Sequence, residues 1–547
     1  MADARSGADA AGRSRGDGGG NPSRLRTAAR RRAKAGQEAR SEERATAELR
    51  SEKSRGPHSR KAHLSMRPVW LGLAIIVLAV VVLMPTPDGL SVSGQRALGI
   101  LAFAVILWVT EAVSYPVSSV MIIGIMALLV GASPAPDGSG EALGTSDALG
   151  YALAGFGSSA VALVAAALAL AAGMQATGLH KRIALVVMKY AGEKTSRILI
   201  GAIIISIVLA FFVPSATARA GAVVPILIGM VAAFGLPTES RLGALMVITA
   251  AQSISIWNIG VQTAAAQNLV AVGFIQESMG ATISWPQWFA AGAPWAAVMS
   301  VVLYFVMRAT IKPEIDRLEG GREIVQKSLT ELGPMTGAEK RLAAVAVILL
   351  AFWSTQGSLH DIDATTVTLC AIGVMLLPRI GVYSWKTVEE LVSWGTLVVF
   401  AVGISLGSVL LETGAAAWLS AAVFDGLGIT GLPVLAVIAI VGAFTILIHL
   451  GFASATSMSS ALIPVFIALA VSIPDLPGEG VGFVLIMQFL ICFGFLLPIS
   501  APQNMLAYGT GAFTTQQFLR TGIPLTIAGY LLILLFSATY WQWIGLL

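Results

Sequence analysis

The chain is poor in residues that do chemistry on their own. It has two cysteines and five histidines in 547 residues, and 12% of its residues are charged. Cys370 and Cys492 both fall in apolar segments, with no partner spacing for a metal or a disulfide, and read as packing residues. His58, His63, His180, His360 and His449 are scattered, and they assemble neither a metal constellation nor a nucleophile with its base. These absences argue against an enzyme. A filter-like carbonyl signature and a ring of pore-lining charge are missing too, which argues against a channel. No aromatic residue precedes Trp70. A segment of that kind buries little apolar surface and is expected to be disordered, apart from a transient helix over 25–50.

What is abundant is apolar. Hydrophobic residues make up 56% of the chain, and the mean hydropathy is +0.79. Runs such as 68–85 and 521–547 approach the roughly 20 residues that cross a bilayer. The net charge of +5 divides into +9 over residues 1–67 and −4 over the remainder. The basic balance therefore belongs to the tail, which reads as a cytoplasmic arm beside anionic lipid. It implies no nucleic-acid partner, and the tail is too long and too acidic for a signal peptide.

After residue 67 the eighteen Lys and Arg residues are placed unevenly. Lys181, Arg182, Lys189, Lys194 and Arg197 share one connection, and Arg308, Lys312, Arg317, Arg322, Lys327, Lys340 and Arg341 share another. Alternate connections carry acids instead: Asp137, Glu141 and Asp147, then Asp361 and Asp363, then Asp475 and Glu479. That alternation is the positive-inside signature of a polytopic membrane protein. It predicts an all-α chain with its N-terminus in the cytoplasm and its C-terminus outside. The expected spans are 69–86, 94–113, 116–132, 147–175, 241–258, 286–309, 341–358, 363–380, 391–413, 481–499 and 521–545. Arg219 interrupts an apolar stretch, which is costly and marks it as a functional candidate. Snorkelling toward the cytoplasmic face is its bland alternative.

Two further apolar blocks, 197–236 and 431–473, reverse the alternation if each crosses once. A re-entrant hairpin restores it, with irregular backbone tolerated only where it is buried or lines a cavity. The two halves also repeat. Trp108-Val109-Thr110-Glu111-Ala112 is echoed by Trp353-Ser354-Thr355-Gln356-Gly357, and Thr177-Gly178 by Thr413-Gly414. Ser215-Ala216-Thr217 returns as Ser454-Ala455-Thr456, Gln267-Asn268 as Gln503-Asn504, and Gly292 with Pro294 as Gly522 with Pro524. Conserved order at nearly constant offset predicts an inverted repeat, the construction of secondary transporters with a midplane site. The expected organisation is a tail over 1–67, a first repeat over 68–310, a cytoplasmic linker over 311–340 and a second repeat over 341–547. The repeats contain the hairpins 197–236 and 431–473 and the broken helices 241–270 and 481–510.

Each repeat offers a hairpin tip and a helix break. At Ser215-Ala216-Thr217 and Ser454-Ala455-Thr456, hydroxyls and free N–H groups open a half-helix, an arrangement that holds a carboxylate or sulfate. Ordinary back-bonding of the hydroxyls to the helix is the alternative for a single copy. Gly260, Pro498 and Pro502 can interrupt the helical ladder and free carbonyls for a small cation, with Asn268 and Asn504 capping the resumed helices.

With these motifs, residues 68–547 resemble the divalent anion/sodium symporter family of sodium–dicarboxylate, citrate and sulfate transporters. The resemblance rests on Trp108 to Ala112, Thr177 to His180, both tips and both broken helices. It implies a homodimer in the plasma membrane, with a hairpin-bearing domain moving like an elevator against a scaffold. It implies substrate contacts from Ser215, Ala216, Thr217, Arg219, Ser454, Ala455, Thr456, Ala501 and Pro502. Sodium is the implied coupling ion, at Ser215, Gly260 and Asn268 in one site and at Ser454, Ser500 and Asn504 in the other; no other cofactor is implied. The family pattern at each tip is Ser-Asn-Thr, whereas Ala216 and Ala455 stand in the central places here. Where members tend to carry a hydroxyl one turn earlier, this chain has Phe211 and Leu450. Thr217-Ala218-Arg219 is similar to the dicarboxylate and citrate exchanger branch, although Met458 stands where that branch has a histidine. The expected cargo is a di- or tricarboxylate such as succinate, malate, 2-oxoglutarate or citrate, with sulfate as a further candidate. Sodium symport, obligate exchange, proton coupling and a non-transporting receptor remain open at this point.

Overall fold

A computed structural model describes residues 57–135, 140–317, 320–422, 431–473 and 476–547, together with Gly428. The expected disorder of the tail up to residue 56 lies outside the described residues. The first helix, Pro57–Leu83, begins inside the segment assigned to the tail. Proline suits a helix start, and Arg60, Lys61 and Ala62 are good helix formers, so nothing delays the helix until the apolar run.

Regular structure among the described residues is helical. Nine of the described helices are long and apolar enough to cross a membrane, and five apolar helices are shorter. Two expected spans are corrected: that over 481–499 is α-helical only over Val481–Ile491, because the break begins there. Residues 147–175 are not one helix but Thr145–Ala154 and Ser159–Thr177, separated by a 3-10 turn at Gly155–Gly157. The reason is close packing: a Cβ on Gly155 would lie 2.1 Å from the Ala401 carbonyl oxygen. The Gly155 amide, released from the helical ladder, donates to Ser405 Oγ at 2.9 Å.

The hairpins are pairs of helices joined at extended tips. The first comprises Thr195–Phe212 and Ala216–Ala233, and the second comprises Val434–His449 and Ala455–Ser472. The broken helices follow. Arg241–Gly260 is buried at every position from Leu242 onward and resumes as Ala266–Met279. Val481–Ile491 resumes as Pro502–Tyr508. A helix apolar on all sides belongs in the interior, and these elements form the centre of the molecule.

The halves correspond in detail. Trp285–Thr310 and Thr515–Ala538 each open with a full capping box, Ser284 with Gln287 and Thr514 with Gln517. Within those helices, a Cβ on Gly292 would meet the Ile259 carbonyl at 2.3 Å, and one on Gly522 would meet the Phe495 carbonyl at 2.0 Å. Both carbonyls lie at equivalent places beside the breaks, so glycine is required twice for the same close approach.

The packing is crossed. Ala216–Ala233 of the first hairpin packs on Pro502–Tyr508 of the second half, and Ala455–Ser472 packs on Ala266–Met279 of the first. The linker ties down the near ends of the first half. Glu314 accepts from the Arg241 and Leu242 amides at 2.7 and 2.9 Å, and the Asp316 carbonyl accepts from Thr195 N at 3.0 Å. Arg182 meets Glu339 at 2.7 Å.

Candidate functional site

The first tip is Val213-Pro214-Ser215. Proline supplies no N–H, and Ser215 is extended (φ −152°, ψ 112°), which ends one helix and starts the next. Its Oγ accepts from Ala218 N at 3.2 Å. Ser454 repeats this geometry (φ −137°, ψ 115°) and accepts from Ser457 N at 3.3 Å. Both serines are therefore N-caps and do not back-bond within a helix. Each cap takes one donor and leaves the first amides of its helix, Ala216 and Thr217 or Ala455 and Thr456, without a partner from the helix. The Thr217 and Thr456 hydroxyls make no hydrogen bond among the described residues, and Thr217 is exposed. Free amides at the positive end of a helix favour an anion. Ala216 and Ala455 add no side-chain polarity.

The breaks share one backbone. Val261 is extended, Gln262–Ala264 form a 3-10 turn, and Ala265 is extended (φ −147°, ψ 142°) before the helix resumes. In the second half Leu497 is extended, Pro498–Ser500 form the turn, and Ala501 repeats the conformation (φ −154°, ψ 142°). A Cβ on Gly260 would lie 2.7 Å from the Trp257 ring. Ser500 and Ala501 are buried, whereas Pro502 is exposed.

The asparagines do not cap the resumed helices. The N-caps are Ala265 and Ala501, and neither has a side-chain cap. Asn268 turns back instead: its Nδ2 donates to the carbonyls of Asn258 at 2.6 Å, Gln262 at 3.2 Å and Val261 at 3.3 Å. Asn504 Nδ2 donates to the Gly494 carbonyl at 2.7 Å. A broken helix leaves carbonyls without amide donors at its upstream end, and an amide NH₂ is the buried group that can serve them. The carbonyls expected to hold a cation are thus partly taken by the chain itself.

Arg219 and His449 take more of them. Arg219 is fully buried, which removes the snorkelling alternative, and its Nη2 donates to Asn258 Oδ1 and, at 2.9 Å, to the Ala264 carbonyl. Its Nε and Nη1 have no hydrogen-bond partner among the described residues. His449, 2% exposed, meets the Ser500 carbonyl through Nε2 at 3.2 Å, and its Nδ1 is without a partner among the described residues. Ala264 and Ser500 each stand four residues before the asparagine of their break. One nitrogenous side chain therefore meets the same carbonyl in each half, from the second arm of one hairpin and the first arm of the other. Sequence reasoning counted His449 among five scattered histidines. Its signal was the cost of an ionisable residue in an apolar run five residues before Ser454.

The two sites differ in fit to a small cation. The first break already carries a buried guanidinium on its carbonyl. Beside the second break Asn504 Oδ1 is a buried acceptor with no donor among the described residues, as is Oε1 of Gln252, a first-half residue whose amide reaches the Phe495 carbonyl. From the early helices, Tyr115 donates to Glu111 Oε1 at 3.0 Å.

The chain is similar to known proteins over most of its length. Residues 67–547 match the model of the sodium:sulfate symporter transmembrane region. A "membrane protein" of Cupriavidus necator is 52% identical over 86% of this chain and 92% of its own. A citrate/succinate antiporter of Escherichia coli K12 is 29% identical over 83% of this chain and 94% of its own. An L-tartrate/succinate antiporter of the same strain is 28% identical over 87% and 99%. In three dimensions the chain is similar to the YdaH transporter of Alcanivorax borkumensis (TM-score 0.52, 15% identity), over 79% of this chain and 98% of that one. That likeness concerns the fold.

Proposed function

The chain belongs to the sodium:sulfate symporter family of multi-pass membrane transporters, and on that footing we propose that it exchanges small di- or tricarboxylates across the plasma membrane without sodium. The observation that carries the proposal is Arg219, fully buried and bonded to the Ala264 carbonyl, with His449 on the equivalent Ser500 carbonyl. A guanidinium is always charged. Fixed at the break, it supplies the positive charge that a bound sodium would otherwise bring.

The tips hold the two ends of the dianion through their free amides and the Thr217 and Thr456 hydroxyls. Arg219 stands one turn beyond the first tip, and its charge favours the anion. Exchange follows from the electrostatics of return. Moving the empty carrier leaves the arginine without its counter-charge, and an uncompensated charge in a membrane costs at least about 2.5–3.5 kcal/mol on insertion scales. With cargo aboard that penalty is offset, so the loaded carrier crosses in both directions. The movement we assign is an elevator-like shift of the hairpins and broken helices against the early helices, within a homodimer. Two relatives named as antiporters of citrate, tartrate and succinate support this reading.

Sodium symport is the second reading, favoured by the donorless acceptors Asn504 Oδ1 and Gln252 Oε1. One experiment separates the two. Purified protein in proteoliposomes should take up labelled succinate only when the vesicles are preloaded with a dicarboxylate, and equally with and without sodium. Uptake into empty vesicles driven by an inward sodium gradient would replace exchange with symport.

A further inference from the structure

Arg219 does not stand alone: a line of buried side chains runs from it into the other half of the molecule. Asn258 Oδ1 accepts from Arg219. The Asn258 carbonyl accepts from Asn268 Nδ2 at 2.6 Å, and Asn268 Oδ1 accepts from Gln488 Nε2 at 3.3 Å. Gln488 Oε1 in turn accepts from Ser459 Oγ at 2.6 Å. Every side chain in the line is at least 98% buried. It begins one turn beyond the first tip, crosses both broken helices and ends one turn beyond the second tip. Cys492 Sγ also approaches Asn268 Oδ1 at 3.5 Å, a weak donor beside the Gln488 amide.

The line exists once. Gln252 occupies the place of Gln488 in the first half, but its Nε2 donates to the Phe495 carbonyl at 3.0 Å, and Asn504 Oδ1 is left without a donor. Ser459 corresponds to Ala220, which carries no hydroxyl. The second half therefore reaches the asparagine of the first break, whereas Gln252 of the first half reaches the Phe495 carbonyl and not Asn504.

The consequence lies in which way Asn268 faces. Its Nδ2 serves three carbonyls, so its Oδ1 has to point at a donor. Gln488 is that donor, and Ser459 fixes the Gln488 amide by occupying its oxygen. A reversed Asn268 would set oxygen against three carbonyl oxygens, which is repulsive, and would release the turn on which Arg219 is seated. We propose that Gln488 is a positioning residue for the anion site, setting Arg219 in the opposite half through Asn268. The inference rests on the exchange reading, because it takes Arg219 as part of the anion site.

Gln488→Met keeps length and volume and removes the bonds to Asn268 and Ser459 together with the weak one to Cys492 Sγ, and Ser459→Ala removes the far end of the line. Exchange in preloaded vesicles would be measured with labelled succinate, alongside thermal unfolding of the purified protein and the Arg219→Gln variant. Gln488→Met should raise the apparent KM about three- to tenfold, the scale of one lost buried hydrogen bond. The maximal rate should stay within about twofold. The double variant Gln488→Met/Arg219→Gln should be no weaker than Arg219→Gln alone, which a merely structural glutamine would not produce. If Gln488→Met does not fold, Ser459→Ala decides, with a smaller rise in KM in the same direction. If Arg219→Gln raises KM while Gln488→Met and Ser459→Ala behave as wild type, the positioning role is overturned and the exchange site stands. If Arg219→Gln leaves KM unchanged, the underlying reading fails first.

Discussion

Arg219 and Ala264 are joined by a 2.9 Å hydrogen bond, from the guanidinium Nη2 of the first hairpin to a backbone carbonyl of the first break. The bond closes a gap in the helical ladder with a permanent charge. Removing the charge while keeping a donor isolates its role. Arg219→Gln should weaken dicarboxylate affinity about tenfold or more, as expected for a lost charge-assisted contact, and should leave transport independent of sodium. Concentration dependence of succinate exchange in sodium and in choline media checks both halves of the statement. Wild-type affinity in this variant would remove Arg219 from the site.

The tip serines and threonines should part company. Ser215 and Ser454 are caps, so alanine at either should cost about 1 kcal/mol of stability. The Thr217 and Thr456 hydroxyls make no hydrogen bond among the described residues. Alanine there should leave thermal unfolding unchanged and weaken succinate affinity by about 1 kcal/mol, roughly fivefold, for each lost bond to a charged ligand. Unfolding and binding titrations on the four single variants test this, and unchanged affinity in both threonine variants would move the anion elsewhere.

Glu339 gives a pH signature outside the membrane segments. Burial pushes its carboxyl up, but Arg182 and Thr336 outweigh burial and hold it below the ordinary value. A depressed carboxyl contributes stability that is present above its unfolded value of about 4.3. That stability is lost as pH falls through the folded-state value. Glu339→Gln should therefore unfold at lower temperature than wild type near neutrality, and the gap should close in acid. A gap that persists at low pH would assign the effect to capping geometry alone.

Sidedness is tested by cysteines at two exposed positions, Ser358 and Glu331, in a background with Cys370→Ala. Ser358→Cys should react with an impermeant thiol reagent from outside intact cells, and Glu331→Cys only after permeabilisation. The opposite pattern would overturn the orientation drawn from the lysines and arginines.

Much of the architecture was legible because it is written in local signals. Long apolar runs, Ser-Ala-Thr before each second hairpin arm, and Pro498 and Pro502 near a polar pair each act over a few residues. The break within 147–175 was not legible, since its cause is the Ala401 backbone some 250 residues away. The asparagines were misread for a related reason. Sequence places Asn268 near a helix start, where capping is the local expectation, but the unserved carbonyls of Asn258, Val261 and Gln262 compete more strongly for its amide. His449 and Gln488 gain their meaning only from partners in distant segments, Ser500 and Asn268.

The crossed seating of the hairpins also bears on how the chain is made. Ala216–Ala233 rests on Pro502–Tyr508, a stretch that leaves the ribosome almost 300 residues later. The early hairpin must therefore wait in the membrane without its final seat until the second half arrives. Pairings of such sequence separation form late and slowly. Insertion and assembly thus become separate stages of biogenesis, and the first half made by itself would be a substrate for membrane quality control. Supplied with a separately synthesised second half, it could still complete the same interlock from two polypeptides.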